Sequence, residues 1–436
     1  MAHEIMDSLD FGDPALIEKS LSDNARGMVG SEILKIASDI RAMKAAGETV
    51  CNLTVGDFDS TQFPIPDPFR RYIQEAIAAG ETNYPPSDGM LSLRKAVCDY
   101  TARQWGVRYP IESVCVASGA RPILYASYRC LVNPGEKVVY PAPSWNNNHY
   151  TWMSGAEGVV VQTRPENGFM PTLDALLPHL SDARLLCFNS PLNPTGTVIG
   201  QEALRAITEA VVEENRRRER DGRRHLFLLH DQIYAALVFG ENKHYMPAAL
   251  VPEAAQWTIS LDGISKCFAS TGLRVGWVMA PPTLTKRIKD LIGHVGAWAP
   301  RPEQVGLARF LDDEAAVVSY QSDMNRRVQE RLDALYDGFQ SLKSQGYRVE
   351  CIDPQGAIYL SLQLDLIGKS IGGVKIENNE QLRRLLLDRA GVAVVPFQAF
   401  GYEGDSGWFR MSVGAVSMEE IATSFPRVKQ LLDEIS

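Results

Sequence analysis

The chain has no excess of positive charge. Its 436 residues carry 44 Lys and Arg against 53 Asp and Glu, a formal net charge of −9, which removes the electrostatic footprint expected of a nucleic-acid-binding surface. The one basic stretch, Arg216-Arg-Arg-Glu-Arg-Asp-Gly-Arg-Arg224, alternates with acids in a helical pattern and reads as a solvated helix end. Long apolar runs are missing too. No segment approaches the ~18 apolar residues of a membrane span, and the start, Met1-Ala-His-Glu-Ile-Met-Asp7, has no apolar signal core. Cysteine is sparse and unpatterned: Cys51, Cys98, Cys115, Cys130, Cys187, Cys267 and Cys351 show neither Cys-x-x-Cys nor metal-ligand spacing. No metal site is expected, and the thiols read as reduced and buried in a cytoplasmic, soluble protein. There is no internal repeat and no low-complexity linker. A chain of this length, 45% hydrophobic, exceeds the ~250–300 residues at which a single core stops growing, so two lobes are expected.

The most informative segment present is Asp262-Gly-Ile-Ser-Lys-Cys-Phe-Ala-Ser-Thr-Gly-Leu-Arg-Val-Gly-Trp277. Lys266, flanked by Ile264 and Phe268, is expected to be desolvated, which lowers its pKa and frees the amine to form a Schiff base. Arg274 supplies a fixed positive charge for a phosphate. Pyridoxal phosphate needs both partners, one for its aldehyde and one for its dianion. Taken alone, the pair reads equally well as solvated ends of a strand and a helix.

Other segments supply what this cofactor requires. Its ring works as an electron sink best when a carboxylate keeps the pyridine nitrogen protonated. Leu226-Phe-Leu-Leu-His-Asp231 is a short apolar run of buried parallel-strand type that ends in an acid, where ligands of open α/β sheets bind. Without the lysine, Asp231 reads as a helix N-cap. Tyr234, three residues on, can turn its hydroxyl toward the phenolic oxygen of the same ring. Ala183-Arg-Leu-Leu-Cys-Phe-Asn-Ser-Pro-Leu-Asn-Pro-Thr-Gly-Thr197 is apolar until Asn189 and then rich in turn formers, so Asn193 is presented in one pose to donate to that oxygen. In Ser113-Val-Cys-Val-Ala-Ser-Gly-Ala-Arg-Pro-Ile-Leu-Tyr125 a strand meets a small-residue turn and a helix. The backbone N–H groups of Ser118, Gly119 and Ala120 can cradle phosphate there with the help of the helix dipole. Trp145, in Tyr140-Pro-Ala-Pro-Ser-Trp145, can stack on the cofactor ring; core packing is the plainer alternative.

In this order and spacing, the segments resemble the class I/II pyridoxal-phosphate-dependent aminotransferases of fold type I. The likeness runs from about Ser31 to the C-terminus and also rests on Asn52-Leu-Thr-Val-Gly-Asp-Phe-Asp59, Tyr84-Pro-Pro-Ser-Asp-Gly89 and Trp408-Phe-Arg410. It implies an α/β fold with a large domain built on a seven-stranded mixed sheet between helices, plus a smaller α+β domain, in a homodimer with shared active sites. By the same resemblance Lys266 is the Schiff-base lysine and the proton shuttle at the substrate α-carbon. Asp231 pairs with the pyridine nitrogen, Asn193 and Tyr234 hold the phenolic oxygen, and Arg274 with the Ser118-Gly119 turn binds phosphate. Tyr84 reaches that phosphate from the neighbouring subunit. Arg410 grips the substrate α-carboxylate, and Gly56 lies beside the substrate, where a side chain would intrude.

Departures from the family pattern bear on substrate and cofactor contacts. Many relatives carry a phosphate-binding serine three residues before the lysine, where this chain has Gly263; Ser265, immediately before it, is the remaining candidate. Where a branch of the family has a histidine behind the ring, this chain has Asn148, with His149 next. Arg121 follows the phosphate turn and is a candidate for a distal substrate carboxylate, with Arg301 as a second. Tyr359 and Trp145 suit aromatic substrates instead. The favoured reading is a transaminase that moves the amino group of aspartate or glutamate, with 2-oxoglutarate as partner keto acid. A pyridoxal-dependent lyase of the carbon–sulfur type is the chemical alternative, and an amino-acid-sensing regulator is a more distant one.

The expected organisation is an irregular arm over residues 1–30, a small domain from 31–50 with 299–436, and a large cofactor-binding domain over 51–298. Ser31 to Ala46 has the apolar face of a helix closed by Gly47. Seven apolar runs between Val114 and Met279 read as the strands of the large-domain sheet.

Overall fold

The computed structural model describes residues 9–30, 36, 38–40, 43, 45, 47–145 and 147–435. Its centre is a seven-stranded sheet: β1 (Val114–Ala117), β2 (Lys137–Ala142), β3 (Glu157–Gln162), β4 (Ala183–Asn189), β5 (Phe227–Asp231), β6 (Thr258–Gly263) and β7 (Gly276–Met279). They lie in the order β1-β7-β6-β5-β4-β2-β3. β7 runs antiparallel to both neighbours, β1 and β6, and the remaining pairs are parallel. All seven expected strands are in this sheet. The inner strands read from sequence because they are covered on both faces and mostly apolar, as in β4, buried at all seven positions; the edge strand β3 is largely exposed and reads from its Val159-Val160-Val161 run. One face carries Cys187, Leu229, Ile259 and Leu261 against Ile123, Leu124, Ile288 and Ile292. The other packs Trp277 and Met279 against helices Leu91–Trp105 and Arg301–Asp312, and Leu186 and Leu228 against Gln201–Arg220.

A second, four-stranded antiparallel sheet joins Val395–Pro396, Trp408–Ser412, Tyr359–Leu364 and Val349–Cys351. It packs on the 31-residue helix Glu314–Ser344 through Val328, Leu332, Leu335 and Phe339. The side chain of Asp313 accepts from the Ala316 N–H and caps the start of that helix. The helix Met418–Asp433 closes the sheet with a capping box between Ser417 and Glu420.

The expected helix over 31–46 lies partly outside the described residues; within it, Ile36 and Ile40 are helical and pack with Val50, Leu387 and Ala393. The arm is not irregular throughout. Pro14–Ser20 and Asp23–Arg26 are short helices, with Asp13 and Ser22 accepting from the N–H groups of Ala15 and Ala25. Neither buries a residue.

Candidate active site

The carboxyl ends of the parallel strands converge on one cleft of about 680 Å³. In an open α/β sheet this is where the strands deliver side chains and helix N-termini together. β5 ends at Asp231, opposite Asn189 at the end of β4. β6 is followed by the turn that carries Lys266, β1 by Gly119 and Ala120, and β2 by Trp145. From the second sheet come Tyr359 and Arg410.

Lys266 is buried, and its Nζ donates to the carbonyl of Gly56 at 2.5 Å. Burial pushes the ammonium down to about 8; Asp57 opposes the shift, and the guanidinium groups of Arg410, Arg121 and Arg274 reinforce it. Asp231 lines the cleft, its carboxylate accepting from the Ile233 N–H at 3.1 Å, and burial pushes its carboxyl up to about 6. A carboxylate with its remaining lone pairs unmet in an apolar wall suits a protonated ring nitrogen. Behind it the sheet holds a second acid, Asp262, which burial lifts to about 8.

Among the described residues, three arginines enter the cleft. Arg410 is 1% exposed; it donates to the Asn193 Oδ1 at 3.2 Å and to the Thr54 carbonyl at 2.6 Å, while its Nε has no partner among the described residues. Its guanidinium lies over the rings of Tyr359 and Phe400 at 4.8 and 4.9 Å. Among the described residues no carboxylate pairs with it. A buried, unpaired cation of this kind is costly unless an anion arrives. Arg274 is held in the left-handed region (φ 53°) and donates to the carbonyls of Thr271 at 2.7 Å and Ser118 at 3.3 Å. Its guanidinium occupies the space a side chain at Gly119 would need: a Cβ there would lie 2.3 Å from Nη2, and Gly119 itself has φ 83°. Glycine is thus required twice over at the start of the helix Ala120–Leu131. Arg121 rests on the ring of Trp145 at 5.6 Å.

The chemistry of this set, a depressed lysine, an elevated acid, a helix N-terminus beside an arginine and an unpaired buried guanidinium, fits pyridoxal phosphate and an amino acid. Comparison with known proteins gives the same answer. Residues 48–425 match the family described as aminotransferase class I and II. The chain belongs to that family. It is a pyridoxal-phosphate-dependent aminotransferase. It is 29% identical to the aspartate aminotransferase of Streptomyces avermitilis over 426 residues, 96% of this chain and 97% of that protein. The crystal structure of the aspartate aminotransferase from Rhizobium meliloti superposes with a TM-score of 0.85 at 27% identity, covering 95% of this chain and 99% of that one. The aspartate aminotransferase from Thermus thermophilus with maleate gives 0.83 at 25% identity, covering 94% and 99%.

Of the residues expected at the site of this aminotransferase, Lys266, Asp231, Tyr234, Asn193, Ala120, Trp145, Ser265, Arg274, Gly56, Arg410 and Arg121 all line the cleft. Ser118 and Gly119 stand behind it, in contact with Arg274. Tyr84 is 82% exposed outside the cleft, its ring edge on Trp298. Arg301 does not reach the cleft; it is tied to Glu81 at 2.5 Å, a partner 220 residues away in sequence. Asn148 is exposed and does not support Asp231. The helix Asn147–Ser154 turns Asn147, Tyr150, Thr151 and Ser154 inward instead, and Asn147 bonds Tyr128 and Ser144.

The sequence reading assigned no role to Asn189, Asp57 or Thr271. Asn189 bonds the Asp231 carbonyl at 2.8 Å and accepts from the Asn193 N–H at 2.8 Å, joining strand end to loop. The Thr271 hydroxyl donates to Asp57 at 2.7 Å, closing the segment before Phe58 onto the lysine loop. The position of Asn189 at the last residue of an apolar run was the available signal.

Proposed function

We propose that this aminotransferase takes its amino group from a dicarboxylic amino acid, aspartate or glutamate, and passes it to a 2-oxo acid, with 2-oxoglutarate closing the cycle. The observation that carries this reading is that Arg410 and Arg121 line one cleft and neither has a carboxylate partner among the described residues. Arg410 takes the α-carboxylate as a bidentate fork, and Arg121 takes the distal one. The aspartate aminotransferases named above, one of them with maleate, support the same assignment.

Bound pyridoxal phosphate supplies an electron sink for the substrate α-carbon. The chain's own residues do the rest. Lys266 would anchor the cofactor through its Nζ and, as a free amine, would serve as the base that moves the substrate α-proton. Asp231 keeps a proton on the ring nitrogen. Asn193 and Tyr234 would hold the phenolic oxygen as donors, and Trp145 would cover the ring. Arg274, the Ser118–Gly119–Ala120 turn and the Ser265 hydroxyl hold the phosphate. Gly56 leaves room for substrate. Tyr84, with its exposed hydroxyl, belongs to the phosphate site of a second subunit in a homodimer. The large domain spans 51–298, and the small domain, 31–50 with 299–436, closes over substrate with Arg410. The free thiols of Cys98, Cys115, Cys130, Cys187, Cys267 and Cys351 support a cytoplasmic setting.

The test is an absorbance scan of the loaded protein during addition of single amino acids. Aspartate or glutamate is expected to convert the long-wavelength cofactor band to a shorter-wavelength one, and 2-oxoglutarate to restore it. R121A is expected to raise KM for both dicarboxylates by roughly ten- to a hundredfold, the loss of one charge-assisted pair, and to spare alanine. Equal effects on aspartate and alanine would remove Arg121 from the substrate site. Ammonia and pyruvate released from a β-substituted amino acid, without band conversion, would favour the lyase chemistry.

A further inference from the structure

Tyr234 and Tyr359 come from the two different sheets, Tyr234 just beyond the end of β5 and Tyr359 at the start of the strand Tyr359–Leu364, yet their hydroxyl oxygens lie 2.6 Å apart. Both side chains are buried, at 4% and 1% exposure. The contact is supported from three sides. Gly56 borders it, and a Cβ there would come within 3.0 Å of the Tyr359 hydroxyl. The Arg410 guanidinium lies over the Tyr359 ring at 4.8 Å. Tyr359 is paired in register with Ser412, two residues along the strand from Arg410. The residue proposed to receive the substrate carboxylate therefore rests on the ring whose hydroxyl reaches the cofactor side.

Each phenol has one proton. If Tyr234 gives its proton to the cofactor's phenolic oxygen, as proposed above, it has none left for Tyr359, and only the Tyr359 hydroxyl can fill the 2.6 Å contact. The direction of the pair is then fixed: Tyr359 donates to Tyr234, and Tyr234 donates to the cofactor. A phenol that accepts a hydrogen bond becomes a stronger donor through its own O–H. We propose that Tyr359 is a positioning residue for the cofactor chemistry: it orients the Tyr234 hydroxyl and strengthens its hydrogen bond to the cofactor. This links the Arg410 strand to the protonation state of the bound cofactor. The inference rests on the placement of pyridoxal phosphate against Lys266 and Tyr234.

The effect has a sign. A donor to the phenolic oxygen withdraws electron density from the nitrogen that shares a proton with it, and so lowers the pH at which the loaded cofactor loses that proton. A direct charge-assisted bond moves such a midpoint by roughly one to two units, and a donor one bond removed changes that bond by about 10–30%. The experiment is a spectrophotometric pH titration of the cofactor band in the loaded wild type, Y359F, Y234F and the double variant, without substrate. Phenylalanine keeps the ring under Arg410, and thermal melts of the four proteins control for folding. Y359F is expected to raise the midpoint by a few tenths of a unit, Y234F by more, and the double variant by no more than Y234F alone. An unchanged midpoint in Y359F, or the same added rise in the Y234F background, would overturn the relay. A wild type that takes up cofactor with no titrating band, or takes up none, would instead overturn the Lys266 assignment beneath it.

Discussion

A lysine amine attacks an aldehyde only when it is unprotonated, so the environment of Lys266 sets how fast the apoprotein can be loaded. An ordinary lysine has a pKa near 10.4, and its neutral fraction rises about tenfold per pH unit until then. Burial brings Lys266 down to about 8. Because the folded value is depressed, the neutral form is already half populated at that pH. The rate of cofactor attachment to the apoprotein is therefore expected to climb between pH 6 and about 8 and then level off, as read by stopped-flow absorbance. A rate still climbing at pH 10 would mean that the amine is solvated and that the cleft does not tune it. The same residue shows how much of the site can be read from a chain. Ile264 and Phe268 flank Lys266 and announce its desolvation locally. Its partners, the Gly56 carbonyl and Arg410, lie far away in sequence and could be placed only by the likeness to a family.

At the scale of elements, the turn between β1 and the helix Ala120–Leu131 depends on one glycine. Gly119 has φ 83°, and the Arg274 guanidinium fills the volume a methyl group would take. The backbone term alone, at φ 83° and ψ 178°, costs an L-residue roughly 1–3 kcal/mol. G119A also pushes Arg274 away from the helix N-terminus, so it is expected to lose about that much stability in denaturant titration and to bind pyridoxal phosphate more weakly at equilibrium. A variant that melts lower but binds cofactor normally would separate the strain from the phosphate site. Elements differ in how far sequence exposes them. The inner strands are legible because burial on both faces leaves them largely apolar, whereas the edge strand Glu157–Gln162 is legible only from its run of three valines. Helix rotation is harder. The inward residue in Asn147–Ser154 is Asn147 rather than Asn148, one step of about 100° that a polar run Asn-Asn-His does not mark. Arg301 fails for a different reason: its fate was decided by Glu81, whose approach depends on the tertiary fold.

At the scale of the molecule, several large apolar and aromatic side chains outside the cleft are left exposed. Leu9, Phe11, Leu16 and Ile17 are 58%, 82%, 61% and 57% exposed on an arm whose helices bury nothing, and Tyr84 is 82% exposed. Short helices with no buried face gain little from propensity alone and need a surface to lie on. Apolar side chains gathered this way mark an interaction surface. In the homodimer proposed above, a second copy of the chain would cover the arm and receive Tyr84 at its phosphate site. Sedimentation velocity is therefore expected to give a dimer. Removal of residues 1–30 is expected to raise the dissociation constant and to make cofactor retention depend on protein concentration, because each dissociated subunit loses the partner's tyrosine. Y84F tests the same link without disturbing the arm. It should leave the dimer intact and weaken cofactor binding by roughly three- to tenfold, the worth of one hydrogen bond. If the truncated protein stays dimeric on dilution and Y84F holds cofactor as tightly as wild type, neither the arm nor Tyr84 serves the interface.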